Sequence, residues 1–179
     1  YYAHPHNQFW RILGLLWHVD LLSQPYPARC AEALQRGLGI WDVYASCHRQ
    51  GSLDSSICNA TVNDFAALAK RCVHLQAIAH NGGESWRHHR HTAALGLPVH
   101  KLPSTSPANA SWSLERKLSA WREILMQYGL ANDPHTRLDE TGKTGDPDHY
   151  SRLADRFLES VSGRSCRIGS IAAVFLQHL

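Results

Sequence analysis

The sequence predicts an α/β layered fold built on a short, mostly parallel sheet. Short runs rich in β-branched and aromatic residues fall at 40–44, 75–80 and 98–102. Amphipathic stretches, with apolar residues three and four apart, lie between and around them. Helices that alternate with strands bring successive strands into parallel alignment and cover the sheet with the helices. With 179 residues, 44% of them hydrophobic and 18% charged, the chain has the composition of one globular domain and not of a disordered segment.

The elements follow in order. His6 to His18 reads as a helix, because Phe9, Trp10, Ile12, Leu13, Leu16 and Trp17 form a broad apolar stripe. Pro25 and Pro27 break the chain before a second helix at 28–36, which Gly37 and Gly39 end. Ile40 to Tyr44 is the first strand, and a polar loop is expected from about Ser46 to Thr61. A helix runs from about Asn63 to Lys70 with Phe65 and Leu68 inward. Leu75 to His80 is the second strand and ends at the turn signal Asn81-Gly82-Gly83. A polar helix over 86–95 leads to the third strand at 98–102. Ser111 or Ser113 caps the strongest helix, whose inward stripe is Leu114, Leu118, Trp121, Leu125 and Tyr128. After about Leu130 the composition shifts to Asp, Gly, Pro and Thr, which reads as a loop. A helix is expected over 149–160, and 168–176 is an apolar run of undefined type.

Several classes of protein are disfavoured. No stretch approaches the roughly 18 apolar residues of a membrane span. The five cysteines form no C-x-x-C pair, so neither a disulfide framework nor a zinc knuckle is indicated. The net charge of +3 is unevenly placed. Residues 62–122 carry eight bases, three acids and six histidines, whereas 123–179 carry eight acids and six bases. A local basic excess suits a polyanion-facing surface, to which Arg87, Arg90 and Lys101 would contribute. On charge alone, a solvated face is the plainer reading.

In parallel sheets, ligand-binding groups gather beyond the carboxyl ends of the strands. Asp42 within the first strand, His80-Asn81 at the end of the second and Ser104 after the third would share one edge. The segment Pro103-Ser104-Thr105-Ser106-Pro107-Ala108-Asn109 is rich in small hydroxyl residues that let backbone N–H groups approach a phosphate. At the chain start, His4, His6 and Asn7 either position a water or a base, or cap the first helix. The run Trp86-Arg87-His88-His89-Arg90-His91 has no carboxylate or cysteine at ligand spacing, so no metal is assigned. Sequons at Asn59 and Asn109 are discounted, since nothing indicates secretion.

Five blocks together resemble the DNA-deoxyinosine (hypoxanthine-DNA) glycosylases, a family of the uracil-DNA glycosylase superfamily. They are YYAHPHNQFW (1–10), GIWDVYASCHRQGSLDSSI (39–57), NDF (63–65), HNG (80–82) and LPSTSPANASWSLERKLSAW (102–121). The resemblance covers residues 1 to about 122. It implies a three-layer α/β/α sandwich and a glycosylase domain at 1–122. Residues 123–179 would then hold a helix end and an unassigned extension. The family begins with a strand and a glycine-rich turn upstream of the YYAHP block. The chain starts at Tyr1 inside that block, so it reads as a piece whose first, central strand is absent. On that reading the first two strands lose a shared neighbour; the run 168–176 is apolar enough to lie against the gap, with nothing in the sequence to fix its register, and residues 1–179 alone are expected to be poorly stable and inactive.

The resemblance also implies roles. Asn7 matches the catalytic asparagine. An amide does not titrate usefully, so its expected work is to hold the attacking water. Asp42, Asn81, Tyr2 and His4 are expected around the base. Hypoxanthine presents an N1–H donor, which the acceptor-only carboxylate of Asp42 matches, and an O6 acceptor, which Asn81 or a backbone N–H would meet. Ser104, Thr105, Ser106, Pro107 and Asn109, with Lys101, are expected on DNA. The implied partner is duplex DNA carrying a deaminated base, with hypoxanthine, xanthine and uracil all open. No metal or organic cofactor is required. A cytoplasmic, nucleoid-associated monomer without a membrane is expected. Two rivals stand beside this reading. One is a catalytically inactive nucleic-acid-binding remnant. The other is an unrelated hydrolase using His4 or His80 with Asp42 and Ser104, which lacks the G-x-S-x-G context.

Overall fold

A computed structural model of the chain describes residues 2, 4–49, 57–131 and 173–177. The helix expected over 149–160 lies outside them. Helix α1 spans Phe9–Trp17 and α2 spans Tyr26–Gln35, with Pro27 in its first turn. Strand β1 is Leu38–Asp42. The segment expected as a polar loop is instead largely a hairpin, β2 at Tyr44–Arg49 and β3 at Ile57–Val62, paired antiparallel with two register shifts. Its polar residues Ser46, His48, Asn59 and Thr61 disguise the strands in the sequence, and the shifts break the alternation that would reveal them.

Helix α3 covers Phe65–Arg71, and the Asp64 side chain caps it by accepting from Ala67 N–H at 2.9 Å. Strand β4 is Ala77–Asn81. The helix expected over 86–95 is two short pieces, α4 at Gly83–Trp86 and α5 at His89–Ala93. Strand β5 is Val99–Leu102. Ser113 caps α6, Leu114–Gln127, by accepting from Arg116 N–H at 3.3 Å. The apolar run near the end of the chain contains strand β6, Ala173–Gln177.

The main sheet has the order β1-β6-β4-β5, and every neighbouring pair is parallel. The gap expected beside β1 and β4 is filled by the apolar tail run, and the structure supplies the register that the sequence leaves open. Strand β6 lies between them, with Leu38 opposite Ala173 on one side and Ala77 opposite the same residue on the other. The sheet thus draws a strand from beyond residue 122, and α6 crosses that boundary as well.

Alternation along the strands divides the core into two layers. Ala79 and Leu38 join α1, α2 and α6 on one face, around Phe9, Trp10, Leu13, Trp17, Trp121 and Leu125. Ile78 faces the other way, with Phe65, Leu68, Leu75 and Val43. Helices on both faces of a parallel sheet give the expected α/β/α layering. The indole N–H of Trp17 donates to the Leu130 carbonyl at 2.7 Å and that of Trp121 to the Pro103 carbonyl at 3.1 Å. Both of these buried rings therefore have their polar atom satisfied. The second of these bonds ties α6 to the segment that follows β5.

Candidate active site at the carboxyl edge of the sheet

Because the strands are parallel, Asp42, Asn81 and the segment after Leu102 share one edge, as the sequence predicts. The bonds that join them give this edge its form. Asn81 is 4% exposed. Its Oδ1 accepts the Thr105 backbone N–H at 3.0 Å, and its Nδ2 donates to Thr105 Oγ1 at 2.9 Å and to Tyr2 Oη at 3.0 Å. Both amide hydrogens that a base-reading role needs are thus used inside the chain. Asn81 acts here as a brace. Thr105, expected on DNA, is fully buried for the same reason.

The rest of the loop is more open. Ser104 and Ser106 are half-buried and Pro107 is exposed. Ser104 Oγ accepts from Ser106 N–H and Ser106 Oγ from Ala108 N–H, each at 3.2 Å. Each serine hydroxyl accepts from backbone, so its own hydrogen is left to donate. Asn109 Nδ2 donates to the Ser104 carbonyl at 3.1 Å and so braces the loop from its far end. Lys101 is exposed on β5, paired in register with His80.

A glycine lets the loop come this close. Gly82 has φ +96°, and a Cβ there would stand 2.8 Å from Ser104 Cβ. Both the backbone angle and the contact exclude a side chain.

The chain start reaches the same place. Gln8 N–H donates to the Thr105 carbonyl at 2.9 Å. Asn7 is half-buried, and its Oδ1 accepts from Phe9 N–H at 2.9 Å, which turns the chain into α1 one residue ahead of the N-cap Gln8. An amide oxygen has two lone pairs, and this bond uses one. Tyr2 is half-buried and stacks on Phe9 with ring centroids 3.8 Å apart. His4 is exposed in a turn, where Nδ1 accepts from His6 N–H at 3.2 Å. Asp42 is half-buried, its carbonyl accepts from Asn63 Nδ2 at 2.8 Å, and Gln177 is its register partner on β6.

His80 is fully buried and engages a different set of side chains. Its ring nitrogens meet Ser85 Oγ at 2.8 Å and Thr92 Oγ1 at 2.9 Å. Thr92 Oγ1 already donates to the His89 carbonyl, so it accepts from His80 Nε2–H, and Nδ1 accepts from Ser85. Burial pushes the pKa down to about 4, so the ring is neutral at pH 7. With both ring nitrogens held by these two hydroxyls, His80 has none left for Ser104 or Asp42. That removes the basis for a serine-hydrolase arrangement around it.

The histidine run is largely used by neighbouring side chains. Tyr44 Oη donates to Glu84 Oε1 at 2.7 Å and accepts from His88 Nε2 at 2.8 Å. Burial, then the Glu84 carboxylate, pushes the Tyr44 pKa up, and burial pushes that of His88 down. His89 stacks on Trp86 at 4.4 Å. Among the described residues no group of three histidine, cysteine or acidic side chains converges as metal ligands would. No helix among them is long and apolar enough to cross a membrane.

Sequence reasoning missed Lys117. It is 1% exposed on the inner face of α6, and its Nζ donates to Gln8 Oε1 at 3.0 Å. The signal was available, because Lys117 stands four residues before Trp121 and eight before Leu125, on the apolar stripe itself.

A parallel α/β/α sheet with a braced serine loop at its carboxyl edge fits the class of uracil-DNA-glycosylase-like proteins, and comparison shows that class. The solution NMR structure of a Methanosarcina acetivorans protein assigned as a uracil DNA glycosylase superposes with a TM-score of 0.60 at 29% identity, covering 69% of this chain and 78% of that one. A protein of Methanosarcina barkeri named hypoxanthine DNA glycosylase is 37% identical over 124 residues, 69% of this chain and 77% of that protein. Its namesake in Methanosarcina acetivorans is 32% identical, over 69% and 78%. No family model matches the chain. The chain belongs to the hypoxanthine DNA glycosylase family, and its activity class is that of a DNA glycosylase of base-excision repair.

Proposed function

We propose that this protein releases hypoxanthine from duplex DNA, acting as a monomer on a base flipped out of the helix. A base inside the stack is out of reach, so flipping precedes chemistry. The bond between C1′ and N9 breaks with its electron pair going to the base. Water adds to C1′, and the proton it loses ends on the departing base. Asp42 accepts the N1–H of hypoxanthine, a bond that adenine, with no hydrogen on N1, cannot make. A backbone N–H at the sheet edge meets O6, since the amide hydrogens of Asn81 are already bonded. Asn7 holds the water through the second lone pair of its Oδ1. The Ser104–Pro107 turn, with Lys101 and Asn109 beside it, follows the phosphates through the hydroxyl hydrogens of Ser104 and Ser106.

One observation carries this reading: Gln8, Asn81 and Thr105 are hydrogen-bonded into a single frame, beside which lie Asn7 and the serine turn. The test is incubation with duplexes carrying inosine, xanthine or uracil, followed by alkaline cleavage of abasic sites. Inosine-dependent strand cleavage exceeding that with the other two is expected. Tight duplex binding without cleavage of any of the three would instead identify an inactive nucleic-acid-binding protein.

A further inference from the structure

Lys117 is a buried cation that the scheme above does not use. Among the described residues the ion pairs are Arg36 with Glu32 and Arg87 with Glu84, and neither involves it. Its one hydrogen-bond partner there is the neutral oxygen of Gln8. Burial lowers its pKa, and among the described residues no carboxylate pairs with it to offset the effect. A buried ammonium with one neutral acceptor is a substantial desolvation penalty, and an apolar side chain of similar length would avoid it. The packing of α6 against α1 therefore does not account for a lysine at this position.

Its surroundings suggest what does. Gln8, which holds the ammonium, is next to Asn7 and donates its backbone N–H to Thr105. Thr105 is in turn bonded to Asn81. The charge lies behind the frame of the site, in a medium where it acts more strongly than in water. We propose that Lys117 is a positioning residue for base release: its positive charge, held against the frame by Gln8, favours the anion that forms as the base departs. The inference rests on the glycosylase reading above. A charge fixed before the reaction needs no reorganisation during it, which makes such groups effective.

The test compares the full chain with Lys117→Met and Lys117→Arg on inosine duplex. It reads single-turnover excision rate, duplex affinity and melting temperature. Lys117→Met is expected to melt at the wild-type temperature or higher and to bind duplex within about twofold, yet to excise roughly tenfold or more slowly. Lys117→Arg keeps the charge and is expected to excise faster than the Met variant. A Met variant with the wild-type rate overturns the proposal. So does a Met variant whose rate, affinity and melting temperature all fall while Arg restores none of them. Should the Met variant fail to fold, Lys117→Gln, which can keep a donor for Gln8 without the charge, is read in the same way. A wild-type protein that releases no base sinks the glycosylase reading, and this inference with it. A wild-type protein that releases hypoxanthine no faster than Lys117→Met sinks only the role of Lys117.

Discussion

Asn81 and Thr105 close a ring on each other: the Asn81 amide donates to Thr105 Oγ1 at 2.9 Å and accepts the Thr105 backbone N–H at 3.0 Å. The end of β4 and the loop after β5 are thereby held at a set distance, independent of any ligand. Asn81→Ala would leave a buried N–H and a buried hydroxyl without this partner. A loss of about 1–3 kcal/mol is expected. Asn81→Asp keeps the acceptor but removes both donors, so it should fall between. Denaturant unfolding and excision assays on the three proteins check the order, which fails if Asn81→Ala is as stable as wild type.

Asn7→Ala is expected to lose about 1 kcal/mol with its hydrogen bond to Phe9 N–H, the usual net scale for one such bond. Base release should fall far more than that loss accounts for, while duplex affinity stays near wild type. Excision by Asn7→Ala at the wild-type rate would remove Asn7 from the chemistry and leave it only the turn into α1.

At Gly82, φ +96° and the 2.8 Å that would separate an added Cβ from Ser104 Cβ are two distinct obstacles to alanine. Gly82→Ala should be destabilised by roughly 1–3 kcal/mol. Adding Ser104→Gly removes the contact but not the backbone strain. The double variant should therefore recover part of the loss, as measured by melting temperature. Full recovery would mean the backbone angle contributes nothing.

His80 makes stability depend on pH. Its folded pKa of about 4 lies below the ordinary value of 6.5. Between those values the unfolded chain binds more protons than the folded one, so stability falls as pH drops. The contribution is complete above pH 6.5 and is lost by about pH 4, with an upper scale of roughly 3 kcal/mol. His80→Gln should flatten this window in denaturant titrations across it. An unchanged slope would mean that another group titrates there.

Strand β6 bonds to β1 on one side and β4 on the other, so the sheet's continuity depends on it. Val174→Pro deletes a ladder N–H in a strand paired on both sides, where proline is excluded. Loss of the cooperative unfolding transition is expected by circular dichroism. A variant that still melts cooperatively near the wild-type temperature would show that β6 contributes little to the sheet.

Much of this was legible locally. The stripe Phe9, Trp10, Leu13, Leu16, Trp17 marks α1, and Ser113 before a period of three and four marks α6, because side-chain spacing on a helix depends only on the helix. Asp42, Asn81 and Ser104 could be placed at one edge because parallel strands leave no other choice. The hairpin at 44–62 was hidden by polar residues and register shifts. Burial of Thr105, the tautomer of His80 and the contact of Lys117 with Gln8 link residues 12 to 109 positions apart. The placement of β6 beside β1 joins segments still farther apart in the chain, Leu38 and Ala173. Local periodicity is a property of one segment, so the sequence alone determined most of the elements and their shared edge. Which distant segments meet depends on the loop-closure entropy and burial of the whole chain, and only the tertiary structure decided it.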